Sequence, residues 1–248
     1  MDKGIKFTKE FYEQETNVQR YGEAIDKVGL WNSEKVFFEK YINKTDKILD
    51  IGCGAGRTTI NLYKKGYKNI TGLDLSTTLI DYAKTYIKNN KLDIEFINGD
   101  ATKLPFKDNS FDVVIFSYNG MQCIPGKKNR DKVLSEVCRV LKPKGLYLFT
   151  AHNRDDSGKY QRGWDEEKLK WANGTQDKTL EMFGDRYTLD KAGLKCFVHF
   201  SNIEEMTNFV HQEDFEILEF IKNTEITEES EQTKEFSGDT VFWAVKKR

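Results

Sequence analysis

The stretch ILDIGCGAGR, residues 48–57, constrains the fold more than any other part of this 248-residue chain. An apolar run of strand length leads directly into glycines at every second position, Gly52, Gly54 and Gly56. Glycine costs stability in regular elements, so the cluster marks a tight turn, a close crossing or a backbone that meets a ligand. Arg57 stands where a dinucleotide-binding fingerprint needs its third glycine, which disfavours an NAD site.

Short apolar runs alternate with helical patterns beyond this stretch. We predict strands at residues 47–51, 69–75, 93–100, 111–119 and 145–153. The segments between them have apolar residues at helical spacing. This alternation predicts right-handed βαβ units, a parallel sheet and helices on both faces. Ligands bind such sheets beyond the carboxyl ends of the strands.

The pattern changes after the fifth strand. We predict a strand at 195–201, and then a helix that begins with a capping box of Ser201 and Glu204. Two late strands, at 214–221 and 239–247, have no helical pattern between them, which predicts antiparallel neighbours. The fold class is therefore α/β: a doubly wound, mostly parallel seven-stranded sheet with an antiparallel terminal hairpin.

The composition disfavours several classes of protein. Lys and Arg number 39 against 40 Asp and Glu, so the charge balance gives no general argument for binding nucleic acid. No run of 18 apolar residues predicts a membrane span, and the first residues lack the apolar segment of a secretory signal. The four cysteines form no CxxC pair and the three histidines are dispersed. We therefore expect a cytoplasmic protein without a metal site.

Acidic side chains stand near the ends of the predicted strands. A carboxylate at Asp74 could accept hydrogen bonds from both hydroxyls of a ribose. Asp100 suits the edge of an adenine, and Asp50 precedes the glycines without a P-loop lysine after them. Together they favour a nucleoside with a cationic or zwitterionic tail. The alternatives are a helix N-terminal acid for Asp74 and turn chemistry after Gly99 for Asp100.

Five segments in order and register resemble the class I S-adenosylmethionine-dependent methyltransferases. The resemblance is particularly to the broad group that includes ubiquinone/menaquinone-biosynthesis and small-molecule methyltransferases. The segments are ILDIGCGAGR, ITGLDLS, INGDATKLPF, FDVVIFSYN and VLKPKGLYLFT, all within residues 45–151. The resemblance implies S-adenosylmethionine as cofactor, S-adenosylhomocysteine as product, and no metal. The residues implied to bind the cofactor are Asp50, Gly52, Cys53, Gly54, Gly56, Asp74, Leu75, Asp100, Ala101 and Ser117.

Further candidates stand beside these residues. Tyr21, in the N-terminal segment, is expected to close over the cofactor, and Asn119 to lie between cofactor and acceptor. Tyr118 and His152 are candidates to assist proton removal from the acceptor. His199 is a weaker candidate, for which a structural role is favoured. We interpret Arg57 as a solvated residue and Trp164 and Trp171 as packing residues of one helix face.

The chain is expected to form a single methyltransferase domain, residues 1–248, in four parts. These are an N-terminal helical cap (1–42), a cofactor-binding core (43–151), a substrate-covering insertion (152–200), and a C-terminal helix with antiparallel strands (201–248). The predicted function is methyl transfer to a small-molecule acceptor. An RNA-modifying methyltransferase and a non-catalytic S-adenosylmethionine-binding protein are the alternatives.

Overall fold

The structure is a computed structural model that describes residues 3–156, 158, 161–189, 193–231, 233–234 and 240–248. The described chain begins with three helices, α1 (Lys3–Tyr12), α2 (Glu15–Lys27) and α3 (Asn32–Tyr41). Gly29 lies between α2 and α3 with φ +63°, a left-handed conformation that glycine adopts without strain. The helical N-terminal segment and its break near Gly29 are as the sequence predicts.

Alternating strands and helices follow. They are β1 (Ile48–Ile51), α4 (Arg57–Lys64), β2 (Ile70–Asp74), α5 (Thr77–Asn89), β3 (Glu95–Asn98), β4 (Phe111–Phe116), α6 (Lys127–Val140) and β5 (Leu141–His152). Local chemistry sets their limits. Ser76, for example, caps α5, because its hydroxyl accepts a hydrogen bond from the Leu79 amide at 3.2 Å.

The last part of the chain contains α7 (Gln161–Ala172), β6 (Asp185–Leu189), β7 (Lys195–His199), α8 (Ile203–Val210), β8 (Phe215–Lys222), α9 (Asn223–Ile226) and β9 (Thr240–Lys247). The predicted Ser201–Glu204 capping box is wrong. Asn202 caps α8 instead, with its side chain accepting from the Glu205 amide at 2.9 Å. The Ser201 hydroxyl is occupied elsewhere, since it accepts from Gln122 Nε2 at 2.9 Å.

Seven strands form the main sheet in the order β3-β2-β1-β4-β5-β9-β8. The first five are parallel, and β9 is antiparallel to both β5 and β8. The predicted α/β class, with its mostly parallel sheet and antiparallel terminal pair, is confirmed. Strands β6 and β7 form a separate antiparallel hairpin.

Apolar side chains cover both faces of the sheet. On one face, α6 and α8 contribute buried residues such as Val137 and Met206. On the other, α3, α4 and α5 contribute Phe37, Ile60 and Ile80. Because both faces of the sheet are packed, a ligand can bind at the edge where the parallel strands end. Within the described ranges, no helix is long and apolar enough to cross a membrane.

Candidate active site

A cavity of about 750 Å³ lies at the carboxyl ends of the parallel strands. Most of the sequence-predicted site residues line it: Tyr21, Gly52, Cys53, Gly54, Asp74, Leu75, Asp100, Ala101, Ser117 and Tyr118. Four others do not: Asp50, Gly56, Asn119 and His152. The strand ends thus bring together residues from four separate loops, as a doubly wound sheet requires.

The three glycines after β1 have different structural roles, although all three have positive φ. A Cβ added to Gly52 would lie 2.4 Å from the Phe116 ring, and one on Gly56 would lie 2.7 Å from Phe96. A Cβ on Gly54 would meet only Leu79, at 3.9 Å. Gly52 and Gly56 therefore permit close packing, whereas Gly54 leaves open space above the backbone.

Asp74 stands at the end of β2 with its carboxylate held by backbone amides. Its Oδ2 accepts from the Gly54 amide at 2.8 Å, and its Oδ1 accepts from the Ser76 amide at 2.8 Å. Burial raises the pKa of this carboxyl, and the amide hydrogen bonds oppose that effect. Each ionised oxygen keeps a second lone-pair direction, so the fixed carboxylate can still accept from a ligand's hydroxyls.

Asp100 also lines the cavity, but its turn already uses one oxygen. Its Oδ1 accepts from the backbone amide and the hydroxyl of Thr102, both at 2.8 Å. This is the turn chemistry that stood as the alternative to ligand binding. Turn formation and ligand binding are compatible roles for Asp100. The turn fixes the carboxylate near the end of the third strand through Oδ1 and does not use Oδ2.

Asp50 lies beneath the cavity rather than in its wall. Its side chain is fully buried, and its Oδ2 accepts from the Thr59 hydroxyl at 2.6 Å. Its Oδ1 has no hydrogen-bond partner. Burial raises the pKa of Asp50 to about 7, although Thr59 and Arg57 act in the opposite direction. Asp50 is therefore not part of the cavity lining.

The turn after β4 places two non-glycine residues in the left-handed region. Tyr118 has φ +54° and Asn119 has φ +57°. Asparagine tolerates this conformation, but for tyrosine it stores strain of about 1–3 kcal/mol. The conformation turns the Tyr118 side chain into the cavity wall, where its ring meets the rings of Tyr21 and Trp31 at 6.5 Å and 5.5 Å between centroids.

Asn119 and His152 contact each other outside the cavity lining, with Asn119 Nδ2 3.1 Å from His152 Nε2. A glutamine explains the position of His152. The side chain of Gln122 accepts from the His152 amide at 2.7 Å and donates to its carbonyl at 3.1 Å. It thereby extends the edge of β5 like a strand partner. The imidazole then stacks on Phe200, at 5.2 Å between ring centroids.

Helices α1 and α2 cover the cavity, and we refer to them together as the lid. Tyr12 of α1 and Tyr21 of α2 line the cavity and touch each other, with ring centroids 5.7 Å apart. Trp31, just before α3, completes this aromatic wall with Tyr118. Of these four residues, Tyr21 and Tyr118 are predicted site residues. Tyr12 and Trp31 were missed, because an aromatic residue in a helical segment is usually core.

The interpretation of Arg57 as solvated is wrong. Only 12% of its side chain is exposed, and it forms a bidentate ion pair with the fully buried Glu34, both N–O distances being 2.6 Å. Its Nη1 also donates to the Gly29 carbonyl at 2.7 Å. The pair ties α3 to the glycine loop, and Arg57 itself lines the cavity. Nothing in the first turn of α4 signals a partner 23 residues upstream.

The described residues of segment 152–200 do not line the cavity. The hairpin contacts the lid instead, since the rings of Phe7 and Tyr187 meet edge to face at 5.5 Å. His199 is buried in that segment, with its ring nitrogens 2.8 Å from Asp185 Oδ1 and 2.7 Å from Glu205 Oε1. The structural role favoured for His199 fits this position. A substrate-covering role for the segment stays a prediction.

Comparison with known proteins adds to this geometry. Residues 48–145 match the family described as "Methyltransferase domain". A demethylmenaquinone methyltransferase of Lactobacillus johnsonii is 35% identical over 136 residues, which is 53% of this chain and 54% of that protein. A solved S-adenosylmethionine-dependent methyltransferase of Methanosarcina mazei superposes with a TM-score of 0.70 at 25% identity, covering 88% of this chain and 98% of the other.

These similarities support a class I S-adenosylmethionine-dependent methyltransferase, with the family match confined to residues 48–145. It spans about half the length of the curated Lactobacillus johnsonii relative. A human eEF1A lysine and N-terminal methyltransferase is also similar, at 28% identity over 71% of this chain and 26% of that protein. The matched family region begins at residue 48 and ends at residue 145. The lid and the β6–β7 hairpin therefore lie outside the part that this methyltransferase shares with the family description.

The family's cofactor fits the observed cavity. Gly54 leaves room for a ligand against bare backbone, and Asp74 presents an oriented carboxylate. Among the residues that the structure describes, no group of three or more His, Cys, Asp or Glu side chains is placed to hold a metal ion.

Proposed function

We propose that this chain binds S-adenosylmethionine in the cavity and transfers its methyl group to a small-molecule acceptor. The observation that carries the proposal is the continuity of the cavity. At one end it has the glycine loop, Asp74 and Asp100, and at the other the aromatic wall beneath the lid. A donor and an acceptor bound there would share one cavity, which is the chief requirement for a transfer driven by alignment.

The cofactor end is suited to a nucleoside. The Asp74 carboxylate is fixed by two backbone amides, so it can bind ribose hydroxyls without losing side-chain freedom on binding. Leu75 and Ala101 supply apolar surface on either side of it, and Asp100 stands beside Ala101 at the adenine end. This order along the strand ends matches the roles that the resemblance implies.

The acceptor end favours a compact molecule with apolar or aromatic surface. Tyr12, Tyr21, Trp31 and Tyr118 contribute rings, and Ile124 contributes aliphatic surface. A polymer acceptor would need a surface track that leads to the cavity, and for RNA that track would be basic. The balance of 39 basic against 40 acidic residues does not favour one.

The protein's part in the reaction is positioning. S-adenosylmethionine would supply an activated methyl group: an electron pair of the acceptor would form a bond to the methyl carbon as the carbon–sulfur bond breaks, which leaves S-adenosylhomocysteine as the product. Burial raises the pKa values of Tyr21 and Tyr118 above that of a free phenol. Both phenols are therefore protonated near neutral pH and act as hydrogen-bond donors that orient the acceptor, not as bases. Alignment of this kind can lower a barrier by roughly 7–11 kcal/mol.

Calorimetric titration with S-adenosylhomocysteine tests the proposal. We expect Asp74→Asn to weaken binding by about tenfold or more, because hydrogen bonds to a charged acceptor are lost. Asp81→Asn is the matched control, an exposed carboxylate on α5 away from the cavity, and should bind like the wild type. Equal affinity in all three proteins would remove the ribose role of Asp74. A wild type that binds neither cofactor nor product would contradict the proposed function.

A further inference from the structure

Rings of the aromatic wall already lie beside cations of the chain itself. The guanidinium carbon of Arg57 lies 5.5 Å from the ring centroid of Trp31 and 5.8 Å from that of Tyr118. The guanidinium carbon of Arg20 lies 5.1 Å from the ring centroid of Tyr21. An aromatic ring attracts a cation over its face within about 6 Å. These rings therefore have cationic partners before any acceptor binds.

Both guanidinium groups line the cavity, so an acceptor meets their positive charge. Glu34, the counter-ion of one of them, is fully buried and is not among the residues that line the cavity. Glu23 does line it, but its Oε2 lies 2.8 Å from Lys27 Nζ. Glu231 also lines it, and its Oε1 lies 2.7 Å from Lys234 Nζ. A positively charged acceptor would have to displace one of these cations from its partner.

The proposed cofactor would add another positive charge to the same cavity, because its methyl group is carried on a sulfonium. A cationic acceptor would be repelled by that charge, whereas an anionic acceptor would be attracted. Methyl transfer to an anion also cancels both charges. Such cancellation is favourable in a site where burial weakens the solvation of charge.

Arg20 and Tyr21 are placed to orient an anion. Arg20 Nη2 donates to the Tyr21 hydroxyl at 3.4 Å, so the two donors are neighbours in the cavity lining. Burial raises the pKa of Tyr21, so its hydroxyl keeps its proton and can donate to an acceptor. Hydrogen bonds to an anion are stronger than those to a neutral group.

We propose that the acceptor is an apolar organic molecule that reacts as an anion, through oxygen, sulfur or carbon, and that the cavity selects against ammonium compounds. The inference rests on the proposed function and adds the charge of the substrate to it. An electron pair of the anion would form the bond to the methyl carbon as the carbon–sulfur bond breaks. The sulfonium and the anion are both neutralised, so the transfer releases no proton and needs no base.

Three probes of one shape test the inference by calorimetry: 2-naphthoate, 2-naphthamide and 2-naphthylmethylammonium, which are negative, neutral and positive. Each is titrated into the full chain saturated with S-adenosylhomocysteine. The titrations are repeated with sinefungin, which has a positively charged amino group in place of the sulfonium methyl. We expect 2-naphthoate to bind about tenfold or more tightly than the ammonium probe, and sinefungin to increase that ratio. Equal or tighter binding of the ammonium probe would overturn the inference, as would no binding of 2-naphthoate.

A charge-removing variant separates charge from shape. We expect Arg20→Gln to bind 2-naphthoate about fivefold more weakly and 2-naphthamide within about twofold of the wild type. Arg162→Gln, at a side chain that is 92% exposed and outside the cavity lining, should match the wild type with both probes. An equal loss on both probes in Arg20→Gln would contradict a role for its charge.

If Arg20→Gln fails to fold, the three probes decide the inference in the wild type alone. The proposed function is tested separately, before any probe is added. A wild type that binds neither S-adenosylhomocysteine nor sinefungin contradicts that function itself.

Discussion

The two ends of the cavity are built by different means. At the cofactor end, loops after parallel strands present glycines and carboxylates, and backbone amides hold Asp74 in place at 2.8 Å. At the acceptor end, side chains from the lid meet through ring contacts. The first end depends on strand geometry and the second on tertiary packing. This difference separates what is expected to be common to the fold from what is specific to this chain.

The Arg57–Glu34 pair joins the two ends, and its loss should have the largest effect on stability. Glu34→Ala would leave a buried guanidinium without its counter-charge, which costs about 3–5 kcal/mol. Glu39→Ala, on the same helix, removes a partner of Lys65 at the surface and should cost less than about 1 kcal/mol. Urea unfolding measures both free energies. Similar losses in the two variants would mean that the buried pair does not join the ends.

The glycine loop offers the next test. Gly56→Ala should destabilise the fold by about 1–2 kcal/mol, because alanine is strained in the left-handed conformation. It should destabilise the fold further by overpacking, because Phe96 lies 2.7 Å from the added carbon. Gly54→Ala should lose only the stability that backbone strain costs, because Leu79 alone lies near the added carbon. We therefore expect Gly56→Ala to lose more stability in urea unfolding, and Gly54→Ala to lose more affinity for S-adenosylhomocysteine. The reverse pattern would contradict the division of labour among the glycines.

Asp50 gives a pH-dependent test of the cofactor end. Because burial raises its pKa to about 7, the folded state holds a proton between about pH 4 and 7 that the unfolded state has released. Stability should fall as pH rises through this window, by up to about 1.4 kcal/mol per unit from this group. Asp50→Asn should remove that part of the slope. Parallel curves for wild type and variant would show that Asp50 is ionised throughout.

The smallest effect is expected at the lid. Tyr187→Ala removes the edge-to-face contact with Phe7, which is worth about 1 kcal/mol. Amide hydrogen exchange in α1 should then become about fivefold faster. Leu189→Ala, at an exposed position on the same strand, is the matched control and should leave exchange in α1 unchanged. Equal exchange in both variants would mean that the hairpin does not support the lid.

Much of the cofactor end could be predicted from the sequence. Apolar runs that end in glycine or an acid fix the strand ends, and the parallel order brings Asp74, Asp100 and Ser117 to one edge. Asp50 was also predicted to lie at this edge. A residue within a buried strand can, however, either line the cavity or lie beneath its floor. Spacing along one strand does not decide that, and the structure puts Asp50 beneath the floor.

The rest could not be predicted, because it depends on contacts between distant segments. The capping of α8 moved by one residue because Gln122 binds Ser201. The same glutamine keeps His152 out of the cavity lining. Glu34 of α3 contacts Arg57 of α4 although β1 lies between the two helices in the chain, and no periodicity in the sequence indicates such a pair. The lid aromatics Tyr12 and Trp31 have the same sequence pattern as ordinary core residues.

A crystal structure with S-adenosylhomocysteine bound would show whether the two ends of the cavity hold cofactor and acceptor as proposed. We expect the ribose hydroxyls within hydrogen-bond distance of the Asp74 carboxylate and the adenine beside Asp100 and Ala101. The sulfur should face the aromatic wall of Tyr12, Tyr21, Trp31 and Tyr118. Product bound outside this cavity, or with its ribose away from Asp74, would contradict it.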